Sequence, residues 1–153
     1  MKLYQLRTEQ KLPISLKEAW SFFSDPENLP ELTPQWMNFE VLSQPKGDMY
    51  PGMIATYYLR PLLGIRLNWV TEITHTKDQA FFVDEQRFGP YRYWHHEHHF
   101  KEIKEGVEIK DILHYAMPFG VIGRVVHKLS VENKLQEVFQ YRYKTLEELF
   151  GSI

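Results

Sequence analysis

The sequence predicts an α+β fold in which a curved, antiparallel, seven-stranded sheet is covered by one long C-terminal helix. Three observations carry this. Seven stretches rich in β-branched and aromatic residues lie between residues 2 and 117, separated by turn-forming pairs. An apolar stripe of helical period follows, through Ile122, Val125, Val126, Leu129, Val138, Phe139, Leu146, Leu149 and Phe150. Aromatic residues make up 15% of the chain, which suits a bent sheet or a pocket lining.

The first strand spans Lys2 to Ile14 and mixes Leu3, Leu6 and Leu12 with polar residues. A helix follows. Ser15 is its N-cap, and Glu18, three residues on, completes a capping box around the stripe Leu16, Ala19, Trp20 and Phe23. Asp25-Pro26 ends that helix and starts a second short one through Leu32, closed by Pro34. Further strands are expected at Phe39–Leu42, Met53–Arg60, Arg66–Thr76, Ala80–Phe88, Tyr91–Ile103 and Val107–Met117. Gly47-Asp48, Pro61–Gly64, Lys77-Asp78, Gly89-Pro90 and Glu105-Gly106 separate them. The final helix would be roughly 40 Å long at 1.5 Å per residue. A straight helix cannot lie flush on a bent sheet, so a ligand cavity is expected in the gap.

The 153 residues fit one domain, 1–153, large enough for a core with a hole in it. A net charge of −2 creates no field that favours nucleic acid or anionic lipid. The absence of cysteine removes a disulfide framework, a thiol nucleophile and a thiolate metal site. The start, MKLYQLRTEQ, has no apolar signal core, and no run reaches membrane-spanning length. A cytoplasmic protein without membrane insertion is the simplest expectation.

Four of the seven histidines lie between Trp94 and Phe100, inside an expected strand. Alternate strand residues leave by opposite faces. Tyr93, His95, Glu97, His99 and Lys101 form a row fit for water, whereas Trp94, His96, His98 and Phe100 form an inward row. A two-residue turn at Glu105-Gly106 would set Phe100 opposite Asp111, His98 opposite Leu113, His96 opposite Tyr115 and Trp94 opposite Met117. Asp111 is then a polar intruder on the apolar face of the last strand, diagonal to His98. Trp69 and Trp36 are expected in the core, with Trp69 also a candidate lining residue. Tyr57 and Tyr58 must diverge, so one of them faces inward.

The strand order and long final helix resemble the helix-grip fold of the START-like, SRPBCC superfamily, which includes Bet v 1, lipid-transfer domains and polyketide cyclases. Phe82-Val83-Asp84-Glu85-Gln86, Gly89-Pro90-Tyr91, Trp94-x-His96-x-His98-x-Phe100, Asp111 with Tyr115, and Pro118 with Gly120 are similar to a bacterial ligand-binding subgroup of it, also labelled cell-division-inhibitor-like. The resemblance implies a cavity under the long helix. It favours Asp84 and Gln86 as the meaningful pair on their strand, whose inward face spacing leaves open. It also implies an epimerase-like protein as a partner.

Three readings of His96, His98, Asp111 and Tyr115 stand side by side. They form a hydrogen-bonded network that satisfies buried polar groups, or the polar end of a ligand pocket, or a chemical centre. In the last, His96, His98 and Asp111 are the catalytic candidates for proton transfer. His-x-His is also metal-ligand spacing, but spacing supplies no third ligand, so neither metal nor cofactor is expected. The favoured function is binding of a small, largely apolar or aromatic molecule by Trp94, His96, His98, Asp111, Tyr115, Asp84, Gln86 and Trp69. The alternatives are a cyclase, aromatase or dehydratase using a His–Asp pair, and a regulatory domain with a vestigial cavity and an exposed apolar patch.

Overall fold

The computed structural model describes residues 1–61 and 63–153. β1 (Tyr4–Leu12) leads into α1 (Leu16–Phe23) and two 3-10 turns, Pro26–Asn28 and Gln35–Met37. β2 (Glu40–Ser43), β3 (Met53–Leu59), β4 (Leu67–Lys77), β5 (Phe81–Phe88), β6 (Tyr93–Ile103) and β7 (Gly106–Ala116) follow in series. The chain then forms α2 (Gly120–Val126), a π turn (His127–Val131) and α3 (Glu132–Phe150). The strands make one antiparallel sheet in the order β1-β7-β6-β5-β4-β3-β2, so the first strand pairs with the last. Register shifts between Val70 and Thr71 and between Ile73 and His75 add local twist where β4 meets β5. The expected Pro61–Gly64 turn includes residue 62, which lies outside the described residues.

Ser15 caps α1 as expected: the Glu18 amide donates to Ser15 Oγ at 3.1 Å, the N-cap half of the expected capping box. It fixes α1 so that Ala19 and Phe23 point inward. Trp20 and Phe23 meet the Phe100 ring nearly edge-on, at 5.5 and 5.4 Å between centroids. Each such pair adds about 0.5–1.5 kcal/mol beyond the area it buries. The second short helix reduces to the two 3-10 turns. Asp25 caps the first, and Pro34 opens the second instead of closing a helix.

The β6–β7 hairpin turns one residue earlier than expected. It turns on Lys104-Glu105 and pairs Ile103 with Gly106. His98 therefore faces Asp111, His96 faces Leu113 and Trp94 faces Tyr115. The shift is even, so each side chain keeps its face. The physical reason lies in β1. Gly106 has φ 153°, and a Cβ there would sit 2.0 Å from the Leu12 carbonyl oxygen. The glycine is used for close approach to β1, not for the turn itself.

The C-terminal stripe also needs correction. Ile122, Val125, Val126, Leu129 and Leu149 are exposed, with Phe119 and Val121 completing an apolar ridge along α2. The inward residues are Gly123, His127, Val131, Leu135 and Phe139, spaced by four. Four residues exceed the 3.6 of an α-helical turn, and the π turn at His127–Val131 takes up the difference. A Cβ at Gly123 would lie 1.9 Å from the Pro118 carbonyl oxygen, which forces that face toward the protein. His127 stacks on Tyr4 at 3.6 Å and shares a 2.8 Å hydrogen bond with the Tyr115 hydroxyl. Trp36 is likewise on the surface, donating to Glu137 at 2.9 Å. Tyr57 is the inward member of its pair and Tyr58 is half-buried. No helix among the described residues is long and apolar enough to cross a membrane.

Two outcomes follow from these contacts. Gly106→Ala is expected to destabilise the fold by at least about 1 kcal/mol, because it adds both a clash and a left-handed φ. Urea unfolding measures this, and an unchanged midpoint would contradict the close approach. Burial, opposed by Glu132 and assisted by Lys2, holds the His127 imidazole below its ordinary 6.5. As pH falls, the unfolded chain takes up this proton first, so its contribution to stability is lost from about pH 6.5 down toward the lower folded value. His127→Gln should flatten that part of the stability–pH curve, below about pH 6.5.

Candidate functional site

Four neighbouring strands focus polar side chains on the inner face of the sheet. β5 sets Asp84 opposite His96, β7 sets Asp111 opposite His98, and β1 sets Thr8 opposite Asp111. His96, His98 and Asp111 are all buried, and Asp84 nearly so. The four side chains close a ring. His98 Nε2 donates to Asp84 Oδ2 at 2.7 Å, and His96 Nε2 donates to Asp111 Oδ1 at 3.1 Å. His98 Nδ1 lies 2.9 Å from the same Asp111 oxygen, off line for a hydrogen bond, and His96 Nδ1 faces Asp84 at 3.6 Å. The two imidazoles sit 3.9 Å apart between centroids. Each thus turns one nitrogen to Asp84 and the other to Asp111.

Arg142 of α3 completes the group from above, with Nη2 at 3.6 Å from Asp111 Oδ1. Thr8 Oγ1 donates to the other Asp111 oxygen at 3.4 Å. These neighbours decide which groups are charged. Burial opposes ionisation of Asp111, but Arg142 and both histidines outweigh it and hold the carboxyl well below the usual range. Asp84 is also lowered, its own burial overcome by the hydrogen bond from His98 and the nearby imidazoles. Burial likewise opposes charge on His98, but bonds to Asp111 and Asp84 prevail and raise it. His96 goes the other way: burial and the adjacent His98 lower it.

The ring borders a cavity of about 200 Å³ between the sheet and α3. Leu135, Val138 and Phe139 roof it, Tyr57, Trp69 and Trp94 form much of its floor, and Asp84, His96, His98 and Arg142 supply a polar wall. Of the residues singled out in the sequence, Trp69, Asp84, Trp94, His96 and His98 meet here. Asp111 sits behind the histidines, outside the lining. Tyr115 is turned toward His127. Gln86 brackets the Gly89-Pro90 turn, accepting from the Tyr91 amide at 3.1 Å and donating to the Tyr91 carbonyl at 2.7 Å. His95 and His99 point away, toward Glu85 and Glu97. Arg142 escaped the sequence reading. Its signal is a lone cation on the buried stripe of Leu135, Phe139 and Leu146, set against an unpaired inward aspartate.

The chain matches the family described as polyketide cyclase / dehydrase and lipid transport over residues 12–149. It belongs to that family. Members of its wider superfamily share the helix-grip architecture, and solved structures show the same fold. A protein from Chromobacterium violaceum aligns with TM-score 0.73 at 14% identity, over 97% of this chain and 99% of the other. One from Thermus thermophilus aligns with TM-score 0.68 at 19% identity, over 95% of each chain. The Bet v 1-like protein Ara h 8.0201 aligns with TM-score 0.62 at 14% identity, over 96% of this chain and 99% of its own. No curated protein matches this chain in sequence.

Removing one partner of a buried charge pair strands the other. Arg142→Met is therefore expected to cost about 3 kcal/mol of stability. The double variant with Asp111→Asn should lose clearly less than the two single losses added together. Urea unfolding of the three variants measures the coupling, and strict additivity would mean that Arg142 does not hold Asp111.

Proposed function

We propose that the chain binds a small, largely apolar or aromatic molecule in the cavity under α3, with Asp84, His96, His98 and Arg142 as its polar end. The observation that carries this is the composition of the cavity wall: aromatic and aliphatic on most sides, with one convergent set of polar groups. An apolar cavity of about 150 Å³ accepts a benzene ring. The space here thus suits a molecule of one or two rings, with an oxygen or nitrogen facing the histidines. Membership of a lipid-transport and cyclase family supports the same reading.

Acid–base chemistry on the bound molecule is the second reading. It is favoured by one feature: both imidazoles reach the cavity while each is also held by a carboxylate. The regulatory alternative with a vestigial cavity is disfavoured by the void itself, although the α2 ridge supplies the apolar patch it required.

Organic extraction of purified protein followed by mass spectrometry should recover a stoichiometric aromatic or apolar compound. Titration with naphthols, followed by Trp69 and Trp94 fluorescence, should saturate at one site per chain. Val138→Trp, which fills the roof, is expected to weaken that binding at least about tenfold at unchanged thermal stability, a loss near 1.4 kcal/mol. Equal affinity in the filled variant would place any ligand elsewhere.

A further inference from the structure

The ring of two histidines and two aspartates has a handedness that a purely structural network does not require. Both imidazoles use the same division of labour. One nitrogen of each, His96 Nδ1 and His98 Nε2, turns to Asp84 on the cavity side. The other, His96 Nε2 and His98 Nδ1, turns to Asp111 behind. One donor atom each from Asp84, His96 and His98 lies within 4.8 Å of the other two. Asp84 Oδ2 is 2.7 Å from His98 Nε2 and 3.6 Å from His96 Nδ1. Donors about 2.1 Å from a shared metal stand about 3.0 Å apart in octahedral and about 3.4 Å apart in tetrahedral coordination. The two separations from Asp84 Oδ2 straddle those values.

We infer that Asp84, His96 and His98 form a site for a divalent first-row transition cation, of the zinc or iron(II) kind, whose open coordination positions face the cavity. The donor chemistry fixes the class. Two neutral imidazoles and one carboxylate suit zinc, iron, cobalt or manganese, whereas calcium and magnesium prefer all-oxygen sets. Three protein ligands leave room for water or a ligand oxygen, the pattern of reactive and not of closed structural sites. Asp111 supplies what such a site needs behind it. A metal-bound imidazole usually donates its remaining N–H to a carboxylate, which fixes ring orientation and tautomer. Here one oxygen of Asp111 lies within 3.1 Å of both remaining nitrogens, while Arg142 and Thr8 hold Asp111 itself.

The exchange balances simply. The cation takes the lone pairs of His96 Nδ1 and His98 Nε2 and one from Asp84 Oδ2. The proton that His98 Nε2 donated to Asp84 leaves to solvent. His96 Nε2–H stays on Asp111, and His98 keeps its Nδ1–H beside the same oxygen. No oxidant or reductant takes part. The site is distinct from the outward pair: His95 and His99 lie on the opposite face, partnered by Glu85 and Glu97. Asp84 is the ligand that strand spacing alone did not supply.

The experiment uses the full chain without an affinity tag, stripped with chelator and titrated separately with zinc and cobalt(II) salts. Calorimetry should give one ion per chain, and cobalt should show visible absorption bands of a nitrogen- and oxygen-ligated centre. Asp84→Asn and His98→Gln should each weaken binding at least thirtyfold, or about 2 kcal/mol. Asp111→Asn should weaken it about 10–100-fold while keeping one ion per chain. The surface variant His95→Gln/His99→Gln should bind as the parent does. Near-ultraviolet circular dichroism checks that each variant is folded. Absence of stoichiometric binding in the parent chain overturns the proposal whatever the variants do. So does binding that survives Asp84→Asn and His98→Gln but is lost with His95 and His99. The ions are the probes, so failure here leaves the small-molecule reading standing.

Discussion

Asp111 carries a full negative charge into the middle of the sheet, and much of the inner face is arranged to keep it there. Isolated, a buried carboxylate would be neutralised or expelled, because transfer from water costs many kcal/mol. Here three elements converge on it: Thr8 from β1, His96 and His98 from β6, and Arg142 from α3. When His98 holds its proton, two carboxylates are balanced by one guanidinium and one imidazolium, leaving the group neutral. The ion pair spans sheet and helix. It therefore fixes the height of α3 above the strands, and with it the depth of the cavity that α3 roofs.

The same pairing explains why the cavity has a polar end at all. Apolar contacts alone would favour collapse of Leu135 and Phe139 onto the sheet, since interiors tend toward close packing. A network that needs specific distances resists that collapse. Asp84 sits at its open edge, the least buried of the four ring members, with a side chain 17% exposed. It is the point where the internal charge network meets whatever enters the void.

Most of the architecture was legible from local pattern. Ser15 and Glu18 marked the start of α1 correctly, and alternation along residues 93–101 separated the inward from the outward histidines. What failed did so for non-local reasons. The β6–β7 turn was misplaced by one residue, because Gly106 serves Leu12 across the sheet and not the loop beside it. The inward face of β5 was open, because bulges against β4 break the count that would have carried register across. Arg142 was missed because a cation on a helix stripe acquires meaning only when Asp111 is known to lie beneath it. The valines and isoleucines of α2 read as inward by hydrophobicity alone, whereas the close approach of Gly123 to Pro118 decides which face touches the chain.

The π turn carries one inward stripe, from Gly123 through Phe139, across two helical parts with different tasks. Residues 132–150 roof the cavity, while residues 120–126 present a ridge outward and are anchored through His127 to Tyr4 and Tyr115. In an uninterrupted α-helix, residues four apart drift by about 40° around the axis at each step. The widened turn absorbs part of that drift. Gly123 and His127 can thus stay against the body of the protein while Leu135 and Phe139, further along the same stripe, roof the cavity.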